Sequence, residues 1–446
     1  LSGTGSDSLV IESKPAGSVR LGAALGTVLA VTWLNSVATG IAYNGIFFIT
    51  DQAYKFSKGT NLVYALLLGV TYIVGALGAG PMVRWVRLRT GCSTRAVLLG
   101  IVFAAAALYM LPVVAWFALP SGSRLGSAWS AWVFMGLYSA LCGTLWPVVE
   151  SFMSGGRSDA QMRSAVGKFN VCWSSALVFS LLLVAGVPEG IKLIASSSWG
   201  VDEFDRKIST LAFGAVLHLL SVFAIAKLPR EPGVHVHEAG HAHPPIYHRL
   251  LAVHRALLPT SYMVMYALLP ALPTAMKSLG FESGWAEVVT TTWLIARIVM
   301  FVTMDRWHGW HGTWLPAICG TTGLIVGFGL CVISPMLASH PALGRGMMVV
   351  GLALFGLGVA AIYSAALYYA MEVGSAAVDA GGMHEALIGL GYTLGPGIGL
   401  AAVGMGAQGV ITPESVGGAT LGLVGVGAGI GVVFAVAAGY RVRNRL

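Results

Sequence analysis

The stretch PGVHVHEAGHAHPP, Pro232–Pro245, interrupts a chain that is otherwise almost wholly apolar. It belongs to a polar segment, 229–255, with four prolines and six histidines. Hydrophobic residues make up 56% of the 446 positions and charged residues only 10%, against about 25% in soluble domains. Mean hydropathy is +0.78. A hydrocarbon core of about 30 Å needs about 20 apolar residues per helix. Six such stretches precede the segment: 21–50, 61–82, 96–119, 128–153, 165–188 and 208–228. Six follow it: 256–279, 285–304, 313–336, 344–371, 383–410 and 417–440. The pattern predicts an all-α polytopic membrane protein with twelve transmembrane helices in two six-helix bundles.

The expected organisation is a tail at 1–20, a first bundle at 21–228, the histidine-rich linker at 229–255, a second bundle at 256–440 and a basic tail at 441–446. Sixteen of the 26 lysines and arginines fall on the side of the termini and linker, and eight on the other. The excess of basic residues in cytoplasmic loops orients membrane proteins, so both termini are predicted inside. The formal charge of +8 is thereby explained by topology, and no nucleic-acid partner is implied. The five cysteines are scattered without C-x-x-C spacing, which excludes a disulfide framework or a cysteine zinc site. The first apolar stretch is too long for the core of a cleavable signal and reads as a retained helix.

The halves carry a matching pattern. Gly136-Leu137-x-x-Ala140 in helix four corresponds to Gly356-Leu357-x-x-Ala360 in helix ten. With the equal division, this suggests an internal duplication, a common build among secondary transporters.

Four motifs sharpen the picture. LWPVVESF ends helix four with Trp146, Pro147 and Glu150, and GKFNVCWS opens helix five with Gly167, Asn170 and Trp173. MDRWHGW follows helix eight with Asp305 and Arg306, and HEALIGLGYTLGPGIG opens helix eleven with His384, Glu385, Gly391, Gly395 and Pro396. On these the chain resembles the major facilitator superfamily. The resemblance implies two bundles rocking about a central cavity, with Asp305, Arg306, Gly391, Gly395 and Pro396 as hinge or gate positions. The G-x-x-x-G-P-x-x-G run is similar to the antiporter signature of drug–proton exchangers, though it lies in helix eleven instead of helix five. The first-half loop, GAGPMVRWVRLRTG, lacks the aspartate of the family's Asp-Arg signature.

Ionisable groups at bilayer depth are expensive and are functional candidates. Glu150, Lys168, His384 and Glu385 are expected near the inner end, as a proton-coupling site or as an ion-paired inner gate. Arg297 lies deeper, facing a cavity or snorkelling to headgroups. Asn35, Tyr43, Asn44, Asn170, Trp173, Trp293, Tyr363 and Tyr392 are the candidate cavity lining, with packing or an interfacial belt as the alternative.

His237-Glu238-Ala239-Gly240-His241 has the form of a zinc-protease motif. Such a motif needs both histidines on one helical face. Gly240 inside it and prolines around it make a polar linker instead. His235, His237, His241 and His243 could hold a metal weakly; otherwise they are solvated.

Together these observations predict a secondary active transporter of a small organic solute, proton-coupled, with export favoured over uptake. It is expected as a multi-pass monomer in the cytoplasmic (inner) membrane, with no cofactor and no enzyme activity. The alternatives are a facilitative uniporter, an importer of sugars or organic acids, and a transporter-like sensor or metal-responsive protein.

Overall fold

The computed structural model describes residues 22–157, 159–194, 202–233, 244–373, 378–412 and 415–443. No strand occurs among the described residues, and twelve helices are long and apolar enough to cross a membrane. They are α1 Leu25–Ala53, α2 Lys58–Thr90, α3 Thr94–Phe117, α4 Ala128–Ser154, α5 Asp159–Ile194 and α6 Glu203–Ile225. After the linker come α7 Pro245–Ser278, α8 Trp285–Arg306, α9 Leu315–Ile333, α10 Pro341–Val373, α11 Val378–Ala407 and α12 Val416–Arg443. An even number of crossings puts the chain at positions 22, 233, 244 and 443 on one side, called here the linker end. The opposite side is the far end.

Local chemistry sets the helix ends. Ser57 and Ser93 cap α2 and α3 by accepting from the backbone N–H groups of Thr60 and Ala96. Asp202 and Asp205 form a reciprocal capping box on α6. Gly91 ends α2 at φ 68°, a left-handed conformation that glycine adopts without strain. The linker gives way to helix earlier than its polarity suggests. α7 begins at Pro245, well before position 256, because proline suits the first helical turn. His254 therefore lies on a helix, fully buried against Tyr369.

The helices sort into two groups of six. α2 packs along α4, and α3 along α6; in the second half α8 packs along α10, and α7 along α11 and α12. The repeated Gly-Leu-x-x-Ala pattern occupies matching places. Gly136 of α4 faces Leu67 of α2, and Gly356 of α10 faces the Trp293 backbone of α8. Two long seams join the halves, α2 against α11 and α5 against α8. Glycine permits their closeness: a Cβ on Gly382 of α11 would sit 2.6 Å from the Ala76 carbonyl oxygen of α2. Large apolar side chains such as Val74, Phe223, Val433 and Phe434 point outward, while polar groups turn inward. That inversion suits a hydrocarbon surround, and the chain is a multi-pass membrane protein.

Midway along α1 the winding changes. Ile41–Gly45 form a π turn, which places Tyr43 and Asn44 on the inner face. π turns in α-helices are frequent at functional sites.

Candidate functional site

A cavity of about 80 Å³ lies between the halves, at the middle of the helices. Tyr43, Asn44 and Trp173 line it from the first half, and Trp293, Arg297, Tyr363 and Tyr392 from the second. Its volume is well below the roughly 300–1,000 Å³ of drug-sized pockets.

Two carboxyl groups meet on its linker-end side. Glu150 near the end of α4 and Glu385 of α11 line the same side of the cavity and face each other across the seam. The Tyr72 hydroxyl of α2 donates to Oε2 of Glu385. Two carboxyl groups brought together in a low-dielectric site can share one proton. The approach depends on Gly381, where a Cβ would lie 2.8 Å from Oε2 of Glu150.

Arg297 enters from α8 and is 1% exposed. Its guanidinium lies 4.1 Å from the Trp173 ring centre, with Phe301 at 5.4 Å and Tyr363 at 5.5 Å. Nη2 donates to the Tyr262 hydroxyl at 3.2 Å, and Nε has no partner. Such rings stabilise a desolvated cation electrostatically.

The other sequence candidates take various places. Asn170 is buried beneath the lining and accepts from Trp173 Nε1 at 3.2 Å, holding the indole in position. Asn35 turns away, and its Oδ1 pairs with His218 Nδ1 at 2.7 Å in a buried network that continues to the Tyr138 hydroxyl. His384 stands edge-on to Tyr363 outside the cavity lining. Lys168 is exposed and makes no ion pair among the described residues, so it is not brought to the carboxyl pair. Asp305 and Arg306 end α8; the Asp305 carboxylate lies against Gly167 of α5, where any Cβ would overlap it. Gly391 and Gly395 let α11 press on the α7 backbone, and Pro396 follows within the helix. His235, His237, His241 and His243 lie outside the described residues. Among the described residues no cluster of metal-ligating side chains occurs.

Sequence reasoning missed the far-end counterpart of the carboxyl pair. Lys207 Nζ of α6 pairs with Glu287 Oε1 of α8 at 2.9 Å, with side chains 3% and 0% exposed. Gln52 of α1 donates to the same oxygen at 3.3 Å, and the Gly284 N–H to Oε2 at 2.8 Å. The signal was a lone glutamate in the first turn of an apolar helix. Tyr262 and Tyr266 were also missed, although their spacing places both on one helical face. The Tyr266 hydroxyl bridges the halves by donating to the Tyr43 carbonyl at 3.3 Å.

Twelve helices in two six-helix groups, joined along α2–α11 and α5–α8 around a central cavity, constitute the major facilitator fold. Solved structures align with the chain over nearly its whole length. A mutant of the nucleoside transporter NupG is 13% identical with a TM-score of 0.62, over 93% of this chain and 98% of that one. The proton:xylose symporter XylE is 14% identical with a TM-score of 0.61, over 92% and 94%. A bacterial homologue of the human drug peptide transporters PepT1 and PepT2 is 14% identical with a TM-score of 0.60, over 94% and 98%. At these identities the likeness concerns the fold. No protein-family model and no curated protein matches the chain.

Proposed function

We propose that this chain is a secondary active transporter that moves a small organic solute by alternating access, coupled to protons through Glu150 and Glu385. The observation that supports this most is the carboxyl pair, placed together at the seam between the halves and facing the cavity. With one proton or two the pair holds the linker end shut. With none, two like charges repel at low dielectric and favour separation of α4 from α11. Proton occupancy and gate position then become one equilibrium. The Lys207–Glu287 pair serves as the opposing gate, and the small cavity is an occluded stage of the cycle. The fold neighbours named above, a proton symporter among them, support transport as the class of activity.

In this reading the linker end faces the cytoplasm, and the protein works as a monomer in the inner membrane. The direction, placed towards export on sequence grounds, follows the gradients and is read in the same assay. Purified protein in liposomes with an internal pH dye reports coupled flux as solutes are added. Glu385→Gln and Glu150→Gln are expected to abolish uphill movement driven by a pH gradient while sparing exchange at equal pH. Undiminished uphill transport in both variants removes the pair from the mechanism.

A further inference from the structure

Arg297 is the only cationic side chain lining the cavity among the described residues, and it has no acidic partner. A buried cation in a membrane protein normally finds a counter-charge, because desolvation penalises it heavily. Here aromatic faces and one tyrosine hydroxyl stand in its place. Two N–H donors on this wall lack acceptors, Nε of Arg297 and Nε1 of Trp293. Both residues line the cavity and both come from α8. Buried donors without acceptors are rare and mark places where a ligand or water belongs.

We propose that Arg297 and Trp293 anchor the carboxylate of a small monoanionic organic substrate, whose apolar body lies against the surrounding rings. This deepens the transporter reading and rests on it. The two free donors supply what a carboxylate accepts, and the guanidinium supplies its counter-charge. A single cation favours a single negative charge; a dianionic phosphate would leave charge uncompensated in a dry cavity. The balance extends to the carboxyl pair. With one shared proton, the pair carries one negative charge against the one positive charge of Arg297. A second proton leaves Arg297 unbalanced, and a monoanion restores neutrality. One proton therefore accompanies one substrate anion, and the loaded cavity crosses the membrane without net charge.

The test is binding, which needs no gradient. The purified full chain is titrated with butyrate, pyruvate and benzoate, and with the matching neutral amides, while tryptophan fluorescence and thermal unfolding are followed. Saturable binding of at least one acid, about tenfold or more tighter than its amide, is expected, given the strength of charge-assisted hydrogen bonds. Arg297→Gln should erase that preference, and Arg297→Lys should retain part of it. Should Arg297→Gln not fold, Trp293→Phe decides: it keeps a ring, removes one donor, and should weaken acids but not amides. Amides binding as well as acids, no acid binding at all, or acid preference surviving in folded Arg297→Gln overturns the proposal. Loss of acid binding beside intact proton-driven flux of another solute sinks this inference alone. Acid binding through Arg297 without any coupled flux sinks the transporter reading alone.

Discussion

Breaking the far-end pair should open the far end. Lys207 and Glu287 belong to different halves and meet only while those halves are closed there. Their side chains are 3% and 0% exposed, and Glu287 also accepts from Gln52 and from the Gly284 N–H. Removing one member of a buried pair costs about 3–5 kcal/mol, because the other charge is left unpaired. In Glu287→Gln the stranded Lys207 recovers water when the halves part, so the penalty falls on the closed state. The remaining bonds argue for the lower figure, about 3 kcal/mol, which is a shift of about a hundredfold. A population open about 1% of the time would become about half open. Spin labels at Leu125 and Ser339, exposed far-end positions in opposite halves, report the separation by pulsed dipolar spectroscopy. Glu287→Gln should add a longer-distance population, and Lys207→Met a smaller one. The double variant strands no charge and should lie closer to the parent than either single change. Unaltered distances in both single variants would refute the reasoning, as would a double variant displaced by the sum of the two.

Three further outcomes are expected. Gly382→Leu places a Cβ 2.6 Å from the Ala76 carbonyl oxygen across the α2–α11 seam, so it should disfavour linker-end closure. A cysteine at cavity position Ile388 should then react faster with an impermeant maleimide, and an unchanged rate counts against the seam as a gate. Gly395→Leu instead forces a side chain into the Met263 and Ala267 backbone within the second half. Overpacking of about 1–3 kcal/mol should lower the unfolding temperature without altering spin-label distances. Replacing His235, His237, His241 and His243 together by alanine should leave transport unchanged with or without zinc. A zinc response of transport in the parent that disappears in that variant would restore the metal-responsive reading.

The number of helices was legible because the membrane imposes a length on every crossing, and twelve apolar stretches satisfied it. Glu150 and Glu385 stood out because charge is rare in such helices, and the same rule drew attention to Arg297. The rule did not place Lys168, because it marks charge within an apolar helix and not the face on which that charge lies, and the Lys168 side chain is exposed. It was not applied to Glu287, which sits in a first turn where acidic residues are ordinary. Which aromatic rings face the cavity depends on helix rotation, and glycine-rich helices apolar all round carry little record of it. Tyr72 shows this: nothing in VTYIVG marks its hydroxyl as the donor to Glu385. The start of α7 was obscured for a different reason, because His248, Arg249 and Arg255 look like linker while lying on helix.

The π turn at Ile41–Gly45 gives α1 slack. An α-helix advances about 1.5 Å and turns about 100° per residue, so a turn holding one extra residue stores that much travel and rotation. Tyr43 and Asn44 sit in the slack, and Gln52, which grips Glu287, sits beyond it on the same rod. Any rewinding of the turn therefore moves Gln52 relative to the cavity wall, as a loosened coil shifts the hook at its end. A single-residue deletion within Ile41–Gly45 would draw that slack out permanently and set cavity and clasp out of phase.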